Sequence, residues 1–125
     1  MTTKKTVLTI EDDNFLQGLE ATKLQKEGYN VLTASDATEA FKVFSSGQKI
    51  DIILLDLLLP DVDGFTILKK IRDDVNLVET PVIIFSNLSE EKDIEKATEL
   101  GISEFMVKSN FTLDELVKKI ELLIG

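Results

Sequence analysis

The sequence predicts a three-layer α/β domain built on a five-stranded parallel sheet. Short apolar runs alternate with longer amphipathic stretches five times along the 125 residues, and such alternation of strand and helix implies right-handed βαβ crossovers. The three central apolar runs are nearly continuous, as strands covered on both faces are. A chain of this length with 43% hydrophobic residues can bury one core without a disulfide or structural metal.

The elements follow in order. The first strand is Val7-Leu8-Thr9-Ile10 and stops at Glu11-Asp12-Asp13, where Asp13 suits the cap of the next helix. Gly28 closes that helix, Gly47 the second and Gly101 the fourth, at positions where a left-handed backbone suits glycine. The second strand is Val31-Leu32-Thr33. In the second helix Ala37, Ala40, Phe41 and Phe44 form one apolar stripe, and Asp36 with Glu39 imitates a capping box. The third strand, Ile52-Ile53-Leu54-Leu55, ends in Asp56 ahead of the turn-forming Pro60-Asp61-Val62-Asp63-Gly64. Pro81 opens the fourth, Val82-Ile83-Ile84-Phe85, where its missing N–H matters least. Ser86-Asn87 follow, and Ser89 is expected to cap the fourth helix. The fifth strand, Phe105-Met106-Val107, ends in Lys108. Thr112 and Glu115 make a capping box for a last helix striped by Leu113, Leu116, Val117, Ile120 and Ile124.

Composition narrows the chemistry. The chain contains no Cys and no His, which excludes thiol nucleophiles, Cys/His zinc sites, Ser-His-Asp triads and a phosphohistidine on this chain. Carboxylates, hydroxyls, lysines and a hard metal remain. Fourteen basic against 23 acidic residues leave a net charge of −9, which repels phosphate backbones and anionic lipid; neither direct nucleic-acid contact nor membrane association is expected. Met1-Thr2-Thr3-Lys4-Lys5 is basic, but the apolar run after it is too short for a secretory signal or a membrane span. Zero Cys agrees with a cytoplasmic location.

In open sheets of this kind sites form at the carboxyl ends of strands. Here those ends carry Glu11-Asp12-Asp13, Asp56, Ser86 and Lys108. Singly, each has an ordinary explanation as a helix cap, a turn residue or a solvated lysine. Together, at least two acids from the first strand and one from the third crowd a single crevice, where like charges repel unless a cation intervenes. Mg²⁺, a hard ion taking oxygen ligands, answers that need, and Lys108 adds a point positive charge. A carboxylate nucleophile beside Mg²⁺ and lysine has the parts that phosphoryl transfer requires.

At these residues the sequence resembles the receiver domains of two-component response regulators. The likeness covers essentially the whole chain, 1–125 as a single receiver domain, and rests on Glu11-Asp12-Asp13, on Asp56 through Gly64, on Phe85-Ser86 and on Phe105-Met106-Val107-Lys108. It implies a doubly wound, flavodoxin-like (βα)5 fold with strand order 2-1-3-4-5. It implies that Asp56 accepts a phosphoryl group from a sensor histidine kinase or a histidine phosphotransfer protein. Asp12, Asp56 and the backbone carbonyl of Leu58 would ligate Mg²⁺, with Glu11 acting through a metal-bound water. Lys108 would contact the phosphoryl group, the Ser86 hydroxyl would move to bond it, and Phe105 would rotate inward. The face made by the fourth helix, fifth strand and fifth helix would then change its affinity for a downstream protein. The chain would catalyse only its own phosphorylation and dephosphorylation.

Three positions depart from the family pattern. Ser109 follows the lysine where proline is usual, so a trans bond is expected. Asn87 stands where a small residue is common. Leu58 and Leu88 are both apolar at the positions flanking the route of a hydrolytic water, which points to a long-lived aspartyl phosphate. Among rival functions, a haloacid-dehalogenase-type phosphohydrolase wants a second Asp where Leu58 stands. A flavodoxin-type electron carrier wants a phosphate loop where three acids stand. A degenerate receiver working as a phosphorylation-independent interaction module is the remaining alternative.

Overall fold

The computed structural model describes residues 4–125; of the N-terminal segment read above, Met1, Thr2 and Thr3 lie outside them. Five strands alternate with five helices: β1 (Thr6–Ile10), α1 (Asn14–Lys26), β2 (Asn30–Ala34), α2 (Ala37–Ser45), β3 (Ile52–Leu55), α3 (Gly64–Asp73), β4 (Val82–Ser86), α4 (Glu91–Leu100), β5 (Glu104–Val107) and α5 (Leu113–Ile124). The sheet is parallel throughout, in the order β2-β1-β3-β4-β5. No helix among the described residues is long and apolar enough to cross a membrane.

Alternate residues of the central strands feed two cores, because successive side chains in a strand point to opposite faces. Leu8, Ile10, Ile53, Leu55 and Ile84 pack with Ala37 and Ala40 of α2, with Ile67, Leu68 and Ile71 of α3 and with Ala97 of α4. Val7, Ile52, Leu54, Ile83, Phe85 and Met106 pack with Leu24 of α1 and with Leu116, Val117 and Ile120 of α5. The two apolar stripes read from the sequence therefore face the sheet from opposite sides.

Caps set the helix starts. Asp13 accepts the N–H groups of Phe15 and Leu16, and Thr112 and Glu115 form the expected reciprocal box. Asp36 accepts the N–H of Glu39 at 2.8 Å, but Glu39 reaches back to Ser35 N–H at 2.6 Å rather than to Asp36. The expected Ser89 cap is corrected. The cap position of α4 is Glu90, and no side chain bonds the first-turn amides there. Ser89 lies one residue too early, and Glu91 and Asp93 in the first turn offer negative charge to the helix dipole instead.

Two features missing from the sequence reading tie loops together. Arg72 spreads its guanidinium over four carbonyls: Nε donates to Gly101 at 2.8 Å, Nη1 to Leu77 at 3.3 Å and Val78 at 2.9 Å, and Nη2 to Thr80 at 2.9 Å. Gly101, at φ 103°, ends α4 there. In the β3–α3 connection the chain doubles back so tightly that Gly64 N–H donates to Leu57 O at 3.2 Å. A Cβ on Gly64 would lie 2.7 Å from that same oxygen.

Helix α1 is held differently from the rest. Its buried residues are Leu24 and, unexpectedly, Glu20, whose Oε1 accepts the Thr9 hydroxyl of β1 at 2.7 Å. Burial pushes the Glu20 carboxyl up to about 7; the Thr9 bond opposes this, the charges of Glu11 and Asp56 add to it, and Lys108 counters them.

Two outcomes follow from this packing. Gly64→Ala places a methyl group against the Leu57 backbone and should cost about 1–3 kcal/mol, read as a lower urea midpoint with an unchanged slope. Glu20 holds a proton in the fold that the unfolded chain releases near pH 4.5, so its contribution to stability should fall as pH rises from about 4.5 through 7. Glu20→Gln removes that component; the stability difference between the two proteins should change by roughly 3 kcal/mol across the window, in favour of Gln at high pH. Parallel pH profiles for the two would refute this account of Glu20.

Candidate functional site

The strand order brings four strand ends together at the carboxyl end of the sheet. β1 and β3 are neighbours in register, Ile10 opposite Leu55, so the residues after each, Glu11 and Asp56, emerge side by side. The Asp56 N–H donates to Ile10 O at 3.0 Å, continuing the ladder one step beyond the strand. β4 ends next in Ser86, and β5 delivers Lys108. Glu11, Asp56 and Ser86 are all buried, with 2%, 4% and 0% of their surface exposed; Asp12 is exposed.

Lys108 joins the two buried acids. Its Nζ lies 2.6 Å from Glu11 Oε1 and 2.7 Å from Asp56 Oδ2. The other oxygen of Asp56 accepts the Ser86 hydroxyl at 2.7 Å and the Leu58 N–H at 2.9 Å. The second oxygen of Glu11 accepts Asp13 N–H at 3.1 Å. Burial raises the Glu11 carboxyl above its ordinary range; the Lys108 ammonium and the Asp13 amide pull it back, and the Asp56 charge pushes it up again. Burial by itself would lower the Lys108 ammonium, but its bonds to Asp56 and Glu11 outweigh that and hold it above its usual value. Lys108 therefore stays protonated at neutral pH.

One oxygen from each of Glu11, Asp12 and Asp56 falls within 4.8 Å of the others. Three carboxylates facing one ammonium leave an excess of negative charge, and every donor is a hard oxygen. That set suits a hard divalent cation of the Mg²⁺ kind. Of the residues singled out from the sequence, the structure brings Glu11, Asp12, Asp56, Leu58, Ser86 and Lys108 together. Phe105 stands apart on β5, partly buried against the core on the α4 side. Asn87 is exposed. Lys108–Ser109 is trans, since no peptide among the described residues is cis.

Sequence reasoning missed the scaffold around these groups. The Gln17 amide of α1 donates to Glu11 O at 2.9 Å and to Ala34 O at 3.0 Å, tying the end of β1 to the end of β2. Asp61 accepts the N–H groups of Ala37 and Thr38 at 3.0 and 3.2 Å, tying the β3–α3 loop to α2; these amides, Ala37 first, hold its carboxyl below the ordinary range. Asp63 caps α3 through Phe65 N–H at 2.9 Å. Its signal, an Asp directly before an apolar helical stretch, was present inside the run read as a turn.

Comparison with known proteins agrees with this geometry. Residues 7–121 match the family described as the response regulator receiver domain. The transcriptional regulatory protein KdpE of Staphylococcus aureus is 39% identical over 118 residues, which are 94% of this chain and 48% of KdpE; the chain spans about half the length of such relatives. The phosphorylated cyanobacterial phytochrome response regulator RcpA superposes with TM-score 0.85 at 28% identity, over 98% of this chain and 94% of its own. The receiver domain of the sensor histidine kinase PA1611 of Pseudomonas aeruginosa, solved with a magnesium ion coordinated in its active site cleft, gives TM-score 0.85 at 27% identity, over 98% of this chain and 99% of its own. The doubly wound order, the acid cluster and the family match converge: the chain belongs to the response regulator receiver domains of two-component signalling.

Proposed function

We propose that Asp56 accepts a phosphoryl group from a phosphohistidine of a sensor histidine kinase or histidine phosphotransfer protein, and that the chain works in the cytoplasm as a phosphorylation-dependent switch. The observation that carries this reading is the Asp56 carboxylate: buried at the end of β3, bonded on one side by Lys108 and on the other by Ser86, and within 4.8 Å of two further acids. RcpA was solved phosphorylated and PA1611 with magnesium in its cleft; both precedents support it.

Asp12, Asp56 and the Leu58 carbonyl would hold Mg²⁺, with Glu11 assisting through a water. When bound, Mg²⁺ supplies the charge neutralisation that two anions need to approach. An Asp56 oxygen forms the new O–P bond as the P–N bond to the donor histidine breaks, and the imidazole nitrogen leaves with the electron pair. Lys108 stays charged and turns from carboxylate to phosphoryl oxygen. Ser86 already donates to Asp56 and needs only to redirect its hydroxyl to the phosphoryl group. Phe105, beside Ile84 of β4 in the sheet register, then repacks, and the face formed by α4, β5 and α5 changes its affinity for a downstream protein. The chain acts on no other substrate. KdpE and related proteins are transcriptional regulators, but the matched half carries no nucleic-acid role in this proposal; its output passes through protein contacts.

Incubation with a small-molecule phosphodonor and Mg²⁺ should add one phosphoryl group to the parent and none to Asp56→Asn, read by intact-protein mass spectrometry; equal labelling of both would remove Asp56 as acceptor. Leu58 is half exposed and Leu88 packs against the core, so neither orients an attacking water. The label should accordingly persist for minutes or longer after donor removal, and loss within seconds would contradict that part.

A further inference from the structure

Two carboxylates cap the start of α2, and they come from different places. Asp36 precedes the helix directly and accepts Glu39 N–H at 2.8 Å. Asp61 arrives from the β3–α3 loop, 24 positions along from Ala37: Oδ1 accepts Ala37 N–H at 3.0 Å, and Oδ2 accepts Thr38 N–H at 3.2 Å and the Thr38 hydroxyl at 3.3 Å. A helix end needs one such cap for its own stability; the second has a different consequence. Asp61 stands three residues after Leu58, with the stiff Pro60 between them. Oδ1 also accepts its neighbour Val62 N–H at 3.0 Å, which fixes the carboxylate against its own loop. On the far side, Gln17 links Glu11 O to Ala34 O, and Ala34 leads into α2. The acidic loop after β1 and the Leu58 loop after β3 are thereby braced against one another through a helix that contributes no chemistry.

We propose that Asp61 is a positioning residue, a strut that uses the start of α2 to hold the Leu58 carbonyl and Asp56 in register with Glu11 and Asp12 for a divalent cation. The proposal rests on the metal reading given above. It deepens that reading by assigning a task to a residue that touches neither the cation nor the phosphoryl group. Asp36 supplies the control, because it caps the same helix without touching the loop. A strut and a mere cap differ in one respect. Loss of either cap weakens the fold, but only loss of the strut loosens the site.

The test is a Mg²⁺ titration of the full chain followed by amide NMR, alongside thermal unfolding of each protein. Asp61→Ala and Asp36→Ala should lower the unfolding midpoint by similar amounts. Asp61→Ala should weaken Mg²⁺ binding about tenfold, the lower end of what removing a ligand's supporting partner costs. Asp36→Ala should stay within about twofold of the parent, as surface changes away from a site do. Asp61→Asn, which keeps an acceptor oxygen for Ala37 N–H, should restore most of the affinity. If Asp36→Ala weakens binding as much as Asp61→Ala, or neither does, the strut is refuted while the metal reading stands. If the parent shows no Mg²⁺ response, both are overturned.

Discussion

One ammonium group makes this arrangement tenable. Glu11 and Asp56 are both buried and emerge from adjacent strands, so without a cation between them one would have to take up a proton or the strand ends would have to part. Lys108 crosses from β5 to sit 2.6 and 2.7 Å from the two acids, neutralising part of that charge in a region where water is scarce. The bridge explains why the end of an edge strand must reach the centre of the sheet. It also explains why its lysine remains charged despite burial.

The sheet order makes the bridge geometrically available. With β1 and β3 paired at the centre and β4 and β5 following on one side, the chain reverses its winding beside β1, and the loops after β1 and β3 diverge to open a crevice. Fully buried strands form the floor of the crevice: Ile52 through Leu55 and Val82 through Ser86 are buried without exception. Glu11 and Asp56 thus stand directly on the ends of buried strands. Gln17 ties the end of β1 to the end of β2, and Asp61 ties the β3–α3 loop to α2.

Much of this was legible in the sequence because its signals are local or periodic. Continuous apolar runs marked the buried strands, stripes marked α2 and α5, and polar residues directly after apolar runs marked Glu11, Asp12, Asp56, Ser86 and Lys108. What escaped detection depends on distant partners. Glu20 reads as one more surface acid until Thr9 of β1 is seen to donate its hydroxyl to it. Asp61 lies inside a turn-forming run, and nothing local announces that it caps a helix 24 residues earlier. Gly64 looks like a turn glycine, whereas its real constraint is the Leu57 backbone pressed against it. α1 offered no apolar stripe because Phe15, 76% exposed, and Leu19 point outward while a glutamate points in. The Ser89 cap failed for the opposite reason, a strong local preference placed one residue before the cap position.

The guanidinium of Arg72 lies at the end of the sheet remote from the acids, and its grip on Gly101 fastens the last turn of α4 to the segment leading into β4. The first turn of the same helix, near the crevice, has no side-chain hydrogen bond at its cap. A rod pinned at one tip and uncapped at the other swings rather than slides. Any rearrangement reaching α4 from the crevice should therefore be felt as an angular sweep about Gly101, widest near Glu91 and vanishing near Leu100.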